Sequence, residues 1–166
     1  DLRRSRGLGD VYKRQISYIA GHAICKGYIS GINHKLNDWP LLEKTLFYNQ
    51  PLINPLNMAS GDYKYVKSKG GGEFKNSNRW VNNPSIQSIM ENEMKNTKAA
   101  KSKYSYSNLN TNLVGSYVLY KMGHKDFKKM LNEIFAVKVG IEYDMIIKKQ
   151  RKAKNNQASL TYGMYI

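Results

Sequence analysis

A single cysteine, Cys25, excludes any disulfide within the chain and says nothing about redox compartment. Acidic residues are scarce, 12 against 27 basic ones. Asp38, Glu43, Asp62 and Glu73 show no spacing that would pair two carboxylates for acid–base work. The histidines His22, His34 and His124 are not at metal-ligand spacing, and Cys25 lies three residues from His22 with no further partner. A zinc site takes about four ligands, so no metal or other cofactor is expected, and Cys25 reads as a small core residue. No apolar run approaches the roughly 18 residues of a membrane-spanning helix. Gly70-Gly71-Gly72 lacks the Lys-Ser/Thr of a phosphate-binding loop, so it reads as linker. No internal repeat is present.

What the chain does have is lysine and tyrosine. Thirteen tyrosines dominate the aromatics, and the 41% apolar fraction is modest for a core. A net charge of +15 could attract nucleic acid, and a small basic nucleic-acid-binding module is the alternative from another class. The lysines are spread along the chain rather than grouped around aromatics, so a solvated lysine surface is the expected reading. Nucleic acid is therefore not the expected partner.

Residues 1–15, DLRRSRGLGDVYKRQ, differ from the rest. They hold four of the six arginines, and beyond them lysine takes over. SRGLGDVYKRQ resembles a translated adapter sequence from assembled environmental DNA. The expected organisation is an adapter-derived segment, 1–15, and one partial domain, 16–166, truncated at both ends. No signal peptide is readable from such a start.

Ile16, Ile19, Ala20, Ala23, Ile24 and Tyr28 predict a buried helix over 15–27 that ends at Gly27. Trp39-Pro40 marks a turn, with Leu41, Leu42 and Leu46 as apolar contacts. A short helix is expected over 51–58, stopped by the turn Ser60-Gly61-Asp62. Residues 67–83 read as loop and 84–94 as helix. Leu109, Leu113, Ser116/Tyr117 and Tyr120 predict a helix capped by Gly123. Asp126 would cap the next, with a stripe of Phe127, Met130, Leu131, Ile134 and Phe135. A strand is expected within 137–147, and a solvated basic loop over 148–154.

The stretch KYSYSNLNTNLVGSYVLYKMG, 103–123, sets Tyr106-Ser107-Asn108 just before a helix, and LNMASGD, 56–62, lies upstream. In that order and separation the two resemble landmarks of the serine beta-lactamase and penicillin-binding-protein-like hydrolases, the branch related to class C beta-lactamases and esterases. There a leucine-rich helix ends in a Met-Thr-Ser-Gly turn, and a Tyr-Ser/Ala-Asn motif later leads into a helix. The helix ending at Gly27, with Tyr28-Ile29 after it, is similar to the segment behind that family's nucleophile. The resemblance covers about residues 16–136 and implies an α+β fold of which this chain is mainly the helical part, predominantly α with few strands. It also implies a periplasmic or secreted protein.

The family's serine attacks an amide or ester carbonyl and forms an acyl-enzyme, helped by a lysine three residues on. A tyrosine relays the proton; a free phenol titrates near about 10, so ammonium groups must favour its anion. By this resemblance Tyr106 would be the catalytic proton relay and Asn108 the contact to a small-molecule or peptide substrate. Tyr104 has no matching asparagine and is expected to pack. Two motifs are missing. No Ser-x-x-Lys occurs, and counting back puts the serine slot near Asp10 and the lysine slot near Lys13, inside the adapter-like segment, where a lysine is coincidental. No Lys/His-Thr-Gly occurs either, and that strand would carry one oxyanion donor. Lys121-Met122-Gly123 only ends a helix. The expected function is a fragment of a serine hydrolase, inactive as it stands. A noncatalytic penicillin-binding-like domain is a further alternative.

Overall fold

A computed structural model describes residues 2–66, 86–123, 127–137, 146–149 and 160–165. Its side chains are described over 13–66, 86–123 and 129–135. In chain order come α1 (Leu2–Cys25), a 3-10 turn (Pro40–Leu42), α2 (Ile53–Leu56), a second 3-10 turn (Asp62–Lys64), α3 (Ile86–Asn92), α4 (Asn108–Lys121) and α5 (Phe127–Leu131). A π turn (Asn132–Val137) extends α5, and strands β1 (Ile146–Lys149) and β2 (Leu160–Tyr165) pair antiparallel. The described chain is predominantly α.

Helix α1 ends as the sequence predicts. Gly27 takes φ 78°, its N–H donates to Ile24, and the N–H of Tyr28 donates to Ala23. This left-handed closure satisfies carbonyls that the last helical turn leaves open. The start differs from expectation: the helix begins at Leu2, not near residue 15, because residues 2–14 contain no proline to stop it. Ile16, Ile19, Ala20 and Ala23 form its buried face. Cys25, expected in the core, is exposed, since two residues of helix turn it about 200° from Ala23. Tyr28, expected to extend the stripe, is also exposed because the left-handed turn at Gly27 takes it off the helical path.

Helix α4 is the centre of the molecule. One apolar face was expected of it, yet every residue from Leu109 to Leu119 is buried. Helices α1, α2 and α3 all pack on it. Its buried side chains include the polar Asn110, Thr111, Asn112 and Ser116, an expensive choice that demands hydrogen-bond partners. Gly123 (φ 69°) closes it as predicted, its N–H donating to Tyr120. Met130, Leu131, Ile134 and Phe135 are buried as the stripe predicts, and Phe135 meets Tyr18 of α1 at 5.3 Å between rings. Asp126, the loop expected over 67–83 and residues 150–154 lie outside the described residues, as does His124. Lys148 and Lys149 belong to β1 rather than to a solvated loop, paired against the apolar C-terminal run.

The loop after α1 folds back on itself: residues 32–36 run antiparallel to 49–53 through four backbone bonds, such as Leu36 N–H to Gln50 at 2.9 Å. It is tied to the end of α4 through Asp38. Tyr117 and Lys121 donate to the two carboxylate oxygens at 2.7 and 2.6 Å, His34 Nε2 lies 3.3 Å from one of them, and Tyr120 donates to the Asp38 carbonyl at 3.0 Å. Trp39 stacks on Tyr120 at 5.5 Å. Burial pushes the Asp38 carboxyl up, but the hydrogen bonds of Lys121 and Tyr117, with the charges of Lys121 and His34, outweigh it and hold the pKa below the usual value. This tie is therefore complete above the ordinary carboxylate range and is lost as pH falls through the lowered folded value.

Tyr117 is fully buried, whereas Tyr120 is half-buried. Replacing Tyr117→Phe should cost about 1.5 kcal/mol, or about 4 °C in Tm, because a donor to a charged acceptor is lost. Tyr120→Phe should cost less than half as much. Thermal melts of both check this, and equal or negligible losses would contradict the assigned role of Asp38.

Candidate active site

The turn Met58–Asp62 and the run Ala100–Asn110 are built as one unit. Met58 (φ 53°) and Gly61 (φ 73°) both take left-handed backbone conformations, which leave the turn tight enough for a second chain segment to lie on it. A Cβ on Gly61 would stand 2.3 Å from the Ala100 carbonyl oxygen, so only glycine permits this approach. The Ala100 N–H donates to the Gly61 carbonyl, Ser102 Oγ to that of Ala59, and the Ser105 N–H to that of Met58. Ser60-Gly61 is thus a structural turn, as its sequence suggests.

Below these backbone bonds lies a buried polar network. Ser60 Oγ donates to Asn110 Oδ1 at 2.7 Å, and Asn110 Nδ2 donates to Asp62 Oδ2 at 3.0 Å. All three residues are at most 1% exposed. Ser107 Oγ and Asp62 Oδ1 are buried beside them without a well-formed hydrogen bond. Ser107 is nevertheless close enough to the carboxylate to stabilise its charge. Burial raises the pKa of Asp62, and the contacts of Ser107, its own backbone N–H and Asn110 offset only part of that.

Tyr106, just before Ser107, is half-buried, and the Lys13 ammonium lies over its ring at 3.3 Å from the centroid. The two residues are far apart in sequence, one in α1 and the other just before α4. A cation on an aromatic face is attracted by the ring quadrupole. The buried face of α1 sets this meeting: positions 13, 16 and 20 lie on one side of a helix, and Ile16 and Ala20 point into the core. Whatever residue stands at position 13 therefore faces Tyr106. Position 10 lies one helical turn earlier on α1.

The sequence-derived site is thus brought together in part. Tyr106 meets the position counted back as the lysine slot. Asn108 is the first residue of α4 and half-buried, and its side-chain amide makes no hydrogen bond among the described residues. Asn110 is the asparagine that ties the motif down, and it lies outside the Tyr-x-Asn pattern. The available signal was an asparagine on the Leu113–Tyr117 side of a buried helix, where an amide needs partners. Tyr104, expected to pack, is 69% exposed. It lies two residues before Tyr106, and the lysine that covers the Tyr106 ring does not cover it. Lys103 instead reaches the Tyr63 ring, at 4.1 Å. Among the described residues no three His, Cys, Asp or Glu side chains are grouped to hold a metal ion. No helix among them is long and apolar enough to cross a membrane.

Compared with protein-family models, curated proteins and solved structures, the chain shows no significant match.

The raised pKa of Asp62 makes a signed prediction. A carboxyl whose folded pKa lies above its unfolded value favours the fold most below the unfolded value, about 3.9. That contribution is lost as pH rises through the folded value. The isosteric Asp62→Asn should therefore raise Tm at pH 7, with the gain disappearing near about pH 3.5, below the unfolded value. Melts across pH check it, and a gain that grows on acidification would contradict the assignment.

Proposed function

We propose that this chain carries the helical half of a beta-lactamase-like serine hydrolase site, acting in its complete form on an amide, ester or beta-lactam carbonyl. The observation that carries the reading is that position 13, the one counted back as the lysine slot, lies against Tyr106. In the family that the sequence resembles, a lysine one turn after the nucleophile and a tyrosine from the Tyr-x-Asn motif share one cleft. Here position 13 and Tyr106 meet across the α1–α4 packing, in a register fixed by Ile16 and Ala20, outside the adapter-like segment.

In this reading the tyrosine moves a proton to or from the nucleophile and leaving group, with the side chain of the lysine slot beside it. Asn108, with its amide uncommitted among the described residues, is the group for a substrate amide. Position 10 is the nucleophile slot, and it holds aspartate. A carboxylate there cannot run the hydroxyl acyl cycle, so the chain as it stands is inactive.

A fluorophosphonate probe tests the reading. The chain should not label at any serine. Asp10→Ser should label slowly, and adding Lys13→Ala or Tyr106→Phe should reduce that rate by about 100-fold. An Asp10→Ser chain that stays unlabelled, or labels regardless of Lys13 and Tyr106, would overturn the proposal.

A further inference from the structure

We propose that Asn110, together with its partners Ser60 and Asp62, is a positioning group that holds Tyr106 against the lysine slot. The inference rests on the reading of Tyr106 as proton relay and assigns a role to residues outside the Tyr-x-Asn motif.

Tyr106 has no hydrogen bond of its own among the described residues, so the backbone on either side must aim its ring. On the upstream side the Ser105 N–H donates to Met58 at 2.9 Å. On the downstream side Ser107 is extended (φ −148°, ψ 121°) and precedes the first turn of α4. A serine there usually caps the helix with its own hydroxyl, but Ser107 makes no such bond. At the third helical position, held here by Asn110, a Glu or Gln often reaches back to the cap. The Asn110 amide reaches outward instead, across to Ser60 and Asp62. The helix start is therefore pinned to the 58–62 turn, not to itself.

The two anchors lie one residue before and four residues after Tyr106 and end on the same five-residue turn. That turn is rigid for separate reasons: the left-handed backbone at Met58 and Gly61, the close seat of Ala100, and Gln50 Nε2 donating to the Ser60 carbonyl at 3.0 Å. With both flanks fixed, the ring faces α1 at the level of position 13. A buried Ser–Asn–Asp chain is a costly way to hold a helix end that a serine cap could satisfy alone. Aiming the preceding side chain is the return on that cost.

Solution NMR of the intact chain with labelled lysine tests this. A proton over an aromatic face resonates upfield, so the Lys13 ε-methylene signal should be displaced, and Lys13→Arg identifies it by deletion. The displacement should vanish in Tyr106→Leu. Asn110→Ala should collapse it toward the free-lysine position, and Ser60→Ala, a milder change, should reduce it. Tyr117→Phe, which destabilises the fold at the distant Asp38 tie, should leave it intact. If the parent chain shows no displacement, the Lys13–Tyr106 arrangement fails and the proposed function loses its support. If the parent shows it and folded Asn110→Ala and Ser60→Ala keep it, the arrangement stands and the positioning role is overturned. Collapse in Tyr117→Phe as well would also overturn that role, because general loosening would then suffice. Should Asn110→Ala not fold, Ser60→Ala decides alone.

Discussion

Gly61 lies so close to Ala100 that no side chain fits between them, and much of the molecule follows from that contact. It brings a turn from the first half of the chain against the segment that leads into α4. Once the backbones touch, water is excluded, and the polar side chains beneath must satisfy one another. Ser60, Asn110 and one carboxylate oxygen of Asp62 do so, at the cost of burying a carboxyl whose pKa rises as a result. The arrangement determines where α4 begins and hence where Tyr106 stands.

The far end of α4 is fixed by a different chemistry. Asp38 there is partly exposed and gathers cationic and phenolic donors that hold its pKa down. Two aspartates thus hold the same helix with opposite responses to pH. Acid weakens the Asp38 tie and relieves the Asp62 burial. Between these ends the helix is enclosed on all sides, so α1 must dock with its small and branched residues inward, and its register brings position 13 over Tyr106.

Much of the local structure was legible in the sequence because it depends on neighbours in the chain. The glycine closures at Gly27 and Gly123, the Ser60-Gly61 turn and the apolar stripe through Met130, Leu131 and Ile134 each announce themselves within a few residues. The encirclement of α4 was not legible, because Asn110, Thr111, Asn112 and Ser116 look solvent-facing, and the partners of Asn110 lie 48 and 50 residues away in sequence. Tyr104 and Tyr106 share a local pattern, and only the placement of α1 distinguishes the covered ring from the exposed one. For the same reason Asn108 stands out in a motif while Asn110, which ties the motif down, does not.

The central claim is that position 13 is a lysine slot one turn behind a nucleophile. The most direct measurement is the coding sequence of the source genome upstream of the codon for Ile16. The expected sequence has Ser-x-x-Lys in frame, with its lysine three residues before Ile16. A native sequence that runs through this point with neither residue in those slots would contradict it.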